Sequence, residues 1–173
     1  MKTQSRSAVA ITAIYLLFSF AAHTQTSTAV PNPPQKGTAT AVHAKGTFEV
    51  KVAPQTPDGK FEDATMGRLT IDKQFHGDLE ATSKGQMLTA TTETKGSGAY
   101  VAIERVTGAL KGRSGTFILQ HGGTMTGGVP TLNVTVVPDS GTGQLVGLTG
   151  KMEIVIQDGK HSYDFEYTLP AAP

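Results

Sequence analysis

With 173 residues and a hydrophobic content of 38%, the chain is long enough for one domain with a sizeable core. It contains no cysteine, which excludes a disulfide framework, a thiolate metal site, a thiol nucleophile and a lipid-modified cysteine. A formal charge of +1 without a basic stripe speaks against a nucleic-acid partner.

The first residues, MKTQSRS, carry Lys2 and Arg6 without an acid and run into the uncharged stretch AVAITAIYLLFSFAA at 8–22. That order predicts a signal peptide over residues 1–22, with Ser19, Ala21 and Ala22 as small residues suited to cleavage. An uncleaved anchor is the alternative, disfavoured because a spanning helix needs about 18 apolar residues or more. Losing Lys2 and Arg6 takes the formal charge from +1 to −1 and leaves a periplasmic or secreted protein without a membrane span. Residues 23–43, rich in Thr, Pro and Ala, have no apolar period and read as a disordered linker.

From residue 44 to 170 apolar residues alternate between Gly, Asp, Ser and Pro punctuation, with no sustained helical period, so the domain is all-β. Alternation sorts each strand into two faces. The apolar sets in chain order are Phe48, Val50 and Val52, then Leu69, Ile71 and Phe75. A strand beginning at GDLEA continues in QMLTATTET after an irregularity near Lys84 and Gly85. Next come Val101 with Ile103, Phe117 with Leu119, and Leu132 with Val134 and Val136. The last pair carries Met152, Ile154 and Ile156, then Tyr163, Phe165, Tyr167 and Leu169, joined by a hairpin turn at DGK, 158–160. About eight strands with short connections point to a single antiparallel β-barrel or a sandwich, and closure hides the edges.

The stretch GQLVGLTGKMEI at 143–154 repeats the pattern of GALKGRSGTFIL at 108–119, with GDLEATS at 77–83 a weaker third copy. Gly143, Gly147 and Gly150 match Gly108, Gly112 and Gly115. Repetition of a strand, corner and strand argues that these glycines serve turns and bends rather than a phosphate. A phosphate loop opens a helix and brings Lys followed by Ser or Thr, whereas Lys151 is followed by Met152 and a strand.

The segments FHGDLEATS, RVTGALKGRSGTFILQHGG, VVPDSGTGQLVGLTGKMEI and HSYDFEYTLP together resemble the DUF3224 family of bacterial domains of unknown function. The resemblance spans nearly all of residues 44–170. It implies a barrel of the allene oxide cyclase type, which is also similar to plant dirigent proteins, and implies no established activity. Trimers occur among those barrels, so the resemblance also allows a homo-oligomer.

Two polar residues fall in step with an apolar face and would be costly to bury without partners. Arg105 follows Val101 and Ile103, and His121 follows Phe117 and Leu119. Arg105 offers fork-like donors for a carboxylate, and His121 exchanges protons near neutral pH. Tyr163, Tyr167 and His161 share one parity on the last strand and supply hydroxyl or imidazole groups to a lumen. Structural readings stand beside these: Arg105 paired with Glu80, His121 capping a barrel mouth beside Gly122 and Gly123, and tyrosines packed as core. Glu104 and Tyr100 have the parity opposite to Arg105, and a bulge would reverse that assignment.

The histidines His43, His76, His121 and His161 are scattered, so no metal site and no cofactor is expected. There is no GxSxG elbow, and the acidic DGKFED at 58–63 fails the register of a calcium loop and reads as a solvated turn. The expectation is an exported barrel binding a small apolar or carboxylate-bearing ligand through Arg105, His121, Tyr163, Tyr167 and His161. The alternatives are a cofactor-free isomerase or cyclase, and a structural homo-oligomer whose polar outer faces associate weakly. Whether the chain is an enzyme stays open at this point.

Overall fold

A computed structural model describes residues 40–56, residue 59 and residues 65–171. The expected signal peptide, most of the expected linker and most of the DGKFED stretch lie outside these residues. The described chain is a closed barrel of strands β1 (Val42–Gln55), β2 (Met66–Gly77), β3 (Leu79–Thr91), β4 (Gly98–Leu110), β5 (Arg113–Thr126), β6 (Val129–Val136), β7 (Thr149–Gln157) and β8 (Lys160–Thr168). Each strand is antiparallel to the next, and β8 returns to pair with β1. The first strand starts at Val42, two residues before the expected boundary.

Tight turns explain the meander. Gln157 pairs with Lys160 across Asp158 and Gly159, whose φ angles of 51° and 75° meet the demand of a two-residue hairpin that follows strand twist. Lys111 and Gly112 do the same between β4 and β5, with φ of 45° and 81°. The expected irregularity at Lys84 and Gly85 is absent: β3 runs through it, each residue paired with β2 and β4.

One end of the barrel gathers the starts of β1, β3, β5 and β7 and is filled. Leu79, Leu110, Phe117, Leu119, Val106 and Phe165 are fully buried there or just above. The repeated glycine pattern seals this end, although its second copy opens with a turn rather than a strand. Gly143–Leu145 is a short 3-10 turn lying across the start of β5, where β6 does not reach. The Thr142 amide donates to the Thr116 carbonyl, the Thr116 amide to Thr142 Oγ1, and the Ser114 amide to Gln144 Oε1. Gly115 permits that approach, since a Cβ on it would lie 2.1 Å from the Thr142 carbonyl oxygen. Leu145 and Leu148 then plug the end. Of the glycines in the pattern, Gly108, Gly112, Gly143, Gly147 and Gly150 have positive φ, whereas Gly115 does not.

The other end is a mouth. Residues of the same inward parity, Val52, Met125, Leu132 and Ile156, are between 43% and 65% exposed there. The wall is incomplete between β6 and β7, whose ladder holds one pair, Thr135 with Lys151, near the filled end.

The face assignment on β4 reverses the one expected. Ala102, Glu104 and Val106 point inward and are buried, while Val101, Ile103 and Arg105 point outward. Val101 and Ile103 mislead because both faces of β4 carry apolar residues, and closure of the barrel on β3 and β5 selects the smaller set for the crowded interior. The expected polar exterior is also corrected: Leu88, Val101 and Ile103, all more than half exposed, form an apolar patch on neighbouring strands.

Candidate functional site

The filled core gives way, midway up the barrel, to a layer of polar side chains. Glu104 of β4 is 0% exposed, and Lys73 of β2, Ser83 of β3 and His121 of β5 surround it, all buried. Lys73 Nζ donates to Glu104 Oε2 at 2.8 Å, and Ser83 Oγ donates to Oε1. His121 Nε2, buried as well, lies 2.9 Å from Oε2. Below, the Lys73 ammonium sits 4.9 Å from the centre of the Phe48 ring and 5.6 Å from that of Phe75. The aromatic faces add to its stabilisation.

A lone carboxylate or ammonium at this depth would be expelled or neutralised, so the four groups form a unit. Burial is the largest influence on Glu104 and pushes its pKa up. Contacts from His121, Lys73 and Ser83 together outweigh it and hold the carboxyl at about 2, down from 4.5. Glu104 is therefore an anion with a cation beside it. Nearer the mouth, burial and the Glu104 charge push the Tyr100 hydroxyl up, so it stays protonated at neutral pH.

Beside this layer the wall opens. The gap between β6 and β7 forms a cleft of about 440 Å³. It is lined by inward residues, Leu132, Val134, Met152 and Ile154, and by outward ones, Asn133, Lys151, Glu153 and Val155, so both faces of the two strands contribute to it. Val134 is the cross-strand partner of His121, which brings the cleft next to the polar layer.

The residues expected at a site are scattered by the fold. His121 joins the polar layer inside the barrel rather than capping a mouth. Arg105 is excluded from the lumen: it lies on the outer face opposite Lys84 and reaches Thr116 Oγ1 at 3.5 Å. It does not pair with Glu80, whose carboxylate accepts the Gly77 amide instead. Tyr163 is buried, and its hydroxyl accepts the Leu79 amide at 2.9 Å and donates to the His76 carbonyl at 3.3 Å, which tie the barrel wall together. Tyr167 packs its ring 5.3 Å from that of Phe165 in the core, and the half-buried His161 packs tilted against Phe48 with ring centres 5.0 Å apart.

Glu104, Lys73 and Ser83 were missed as site residues. Lys73 had a signal, since it interrupts the inward set Leu69, Ile71 and Phe75 at the same parity, and Ser83 continues Leu79 and Ala81. Glu104 had none beyond its place opposite an apolar pair. Among the described residues no group of three His, Asp or Glu is placed to hold a metal ion.

A family model described as a protein of unknown function, DUF3224, matches residues 44–167. The crystal structure of a DUF3224-family protein of unknown function from Shewanella oneidensis MR-1 is 45% identical, with a TM-score of 0.72, covering 77% of this chain and 100% of that one. No curated protein matches the sequence.

Proposed function

The chain belongs to the DUF3224 family, whose function is unknown, and from that premise we propose that it is an exported barrel that binds a small, uncharged, largely apolar ligand. The ligand enters by the β6–β7 cleft and lies against Leu132, Val134, Met152 and Ile154, with the polar layer as the floor. The observation that carries this reading is the cleft itself, a space of about 440 Å³ whose inner side is apolar, whose outer rim carries Lys151 and Glu153, and which adjoins buried polar groups. Small-molecule sites have that character, apolar walls with few polar anchors.

The electrostatics select the ligand's charge. Lys73 and Glu104 already neutralise each other, and a carboxylate brought beside Glu104 would set two anions against one ammonium. Arg105, the residue that made a carboxylate-bearing ligand attractive, faces outward. An uncharged molecule with an apolar body meets no such penalty.

Titration with N-phenyl-1-naphthylamine, an uncharged fluorescent probe, tests the site. Saturable binding is expected, weakened at least tenfold by Leu132→Trp, which fills the cleft from a part-exposed position. A fluorescent long-chain carboxylate is expected to bind more weakly. Absence of saturable binding, or binding indifferent to Leu132→Trp, overturns the reading, and preference for the carboxylate overturns the charge argument. Export is checked by fractionating the producing cells: a chain shortened near Ala22 outside the cytoplasm supports it, and an intact chain retained inside overturns it.

A further inference from the structure

A groove of about 570 Å³ crosses the outer wall from β2 to β6. Alternation and register set its contents. One row across the strands runs Arg68, Leu88, Val101, Gly122 and Asn133, and Gln86, Ile103 and Gln120 stand in the next row toward the filled end. Leu88, Val101 and Ile103 are each more than half exposed, an apolar surface held in water.

Gly122 leaves a notch in this surface. Neither backbone strain nor packing among the described residues calls for a glycine there: its φ lies outside the left-handed region, and an added Cβ would meet nothing within 4 Å. Neighbouring glycines do have such reasons. Gly108 has a positive φ, and a Cβ on Gly123 would lie 2.4 Å from the Tyr100 ring. A glycine inside a strand weakens it, so a side chain at position 122 would favour the fold. What glycine supplies instead is open backbone, the feature that lets a ligand lie close to a sheet.

The notch has chemical walls. Val101 bounds it on β4 and Asn133 on β6, two strand spacings or about 10 Å apart, and Gln120 stands two residues along β5. Asn133 is the rim that the groove shares with the β6–β7 cleft. The side-chain amides of Gln120 and Asn133 have no hydrogen-bond partner among the described residues, and each offers donors and an acceptor. No carboxylate lines the groove, Arg105 lies outside it, and Arg68 at its far edge already donates to Gln86 Oε1 at 2.8 Å.

We propose that this groove is a second binding site, separate from the cleft, for a flat uncharged ring that carries carbonyl and hydroxyl groups on its edge. The ring lies over Gly122 against Val101, with Leu88 and Ile103 beside it, and its edge groups exchange hydrogen bonds with Gln120 and Asn133. Apolar walls with a few polar anchors suit a small molecule. A protein partner asks for a wider apolar area than three residues around one notch.

The test is a fluorescence titration of the full chain with 4-methylumbelliferone, kept neutral in mildly acidic buffer. Saturable binding is expected, and naphthalene, flat but without edge groups, should bind more weakly. Gly122→Val should weaken binding at least tenfold while raising the urea midpoint, because the side chain fills the notch and favours the strand. Gln120→Ala should weaken it about fivefold, the loss of one hydrogen bond. Leu132→Trp, which blocks the cleft, should leave it unchanged, so the two sites fail separately. Absence of saturable binding overturns the proposal, as does a Gly122→Val chain that binds like the wild type. A lower urea midpoint in Gly122→Val overturns it too, since the glycine then serves the fold. Binding lost in Leu132→Trp places the ring in the cleft and removes the second site. A chain that binds no ring but forms assemblies that Gly122→Val dissolves, seen by light scattering, gives the groove to a protein partner instead.

Discussion

The two ends of this barrel are built from the same alternation of residues and serve opposite ends. At the filled end, inward residues such as Leu79, Leu110 and Phe165 are wholly buried, and a 3-10 turn with Leu145 and Leu148 closes over them. At the mouth, inward residues such as Val52 and Ile156 remain half or more exposed, and the seam between β6 and β7 is held by one pair. Between them lies the layer of Glu104, Lys73, Ser83 and His121. The difference teaches where stability and accessibility reside: the filled end supplies the apolar burial that tolerates an ionic layer, and only the residues above that layer stand in water.

The sharpest way to break this division is at the polar layer. Glu104→Gln leaves the Lys73 ammonium buried beside a neutral group and should cost about 3–5 kcal/mol in urea unfolding, whereas Lys73→Met with Glu104→Leu should recover most of that loss. Phe165→Ala at the filled end opens a cavity and should cost about 3–5 kcal/mol, measured in the same way. A third effect depends on pH. Glu104 titrates at about 2 in the fold and 4.5 when free, so the unfolded chain binds the proton more readily. Its contribution is complete above about pH 4.5 and is lost as pH falls toward 2. Urea midpoints should drop over that window, and less steeply in the Lys73→Met/Glu104→Leu chain. Tyr163→Phe strands the buried Leu79 amide and should cost about 1–3 kcal/mol. Ile156→Ala at the mouth should stay within about 0.5 kcal/mol, because that side chain is already in water. A cost there as large as at Phe165 would erase the contrast between the ends.

Much of the fold is legible in the sequence. The inward sets on β1, β2, β5, β6, β7 and β8 follow from period-two alternation, and the DGK hairpin follows from the demand for positive φ at Asp158 and Gly159. The candidate site is less legible. Lys73 stands in phase with Ile71 and Phe75, so its inward place is readable from alternation alone. Glu104 was hidden because alternation gives two faces without labelling them, and the larger apolar residues of β4 lie on the outer one.

Alone, the sequence determined an all-β chain, its strand number, its turns and the absence of thiol chemistry, because these rest on local periodicity, glycine conformations and composition. Only the tertiary structure decided which face of β4 looks inward, that Lys73, Ser83 and His121 converge on Glu104, and that β6 and β7 part. Those outcomes depend on how eight strands share one limited interior, in which side-chain volume and the need to pair a buried charge are settled between strands distant in the chain.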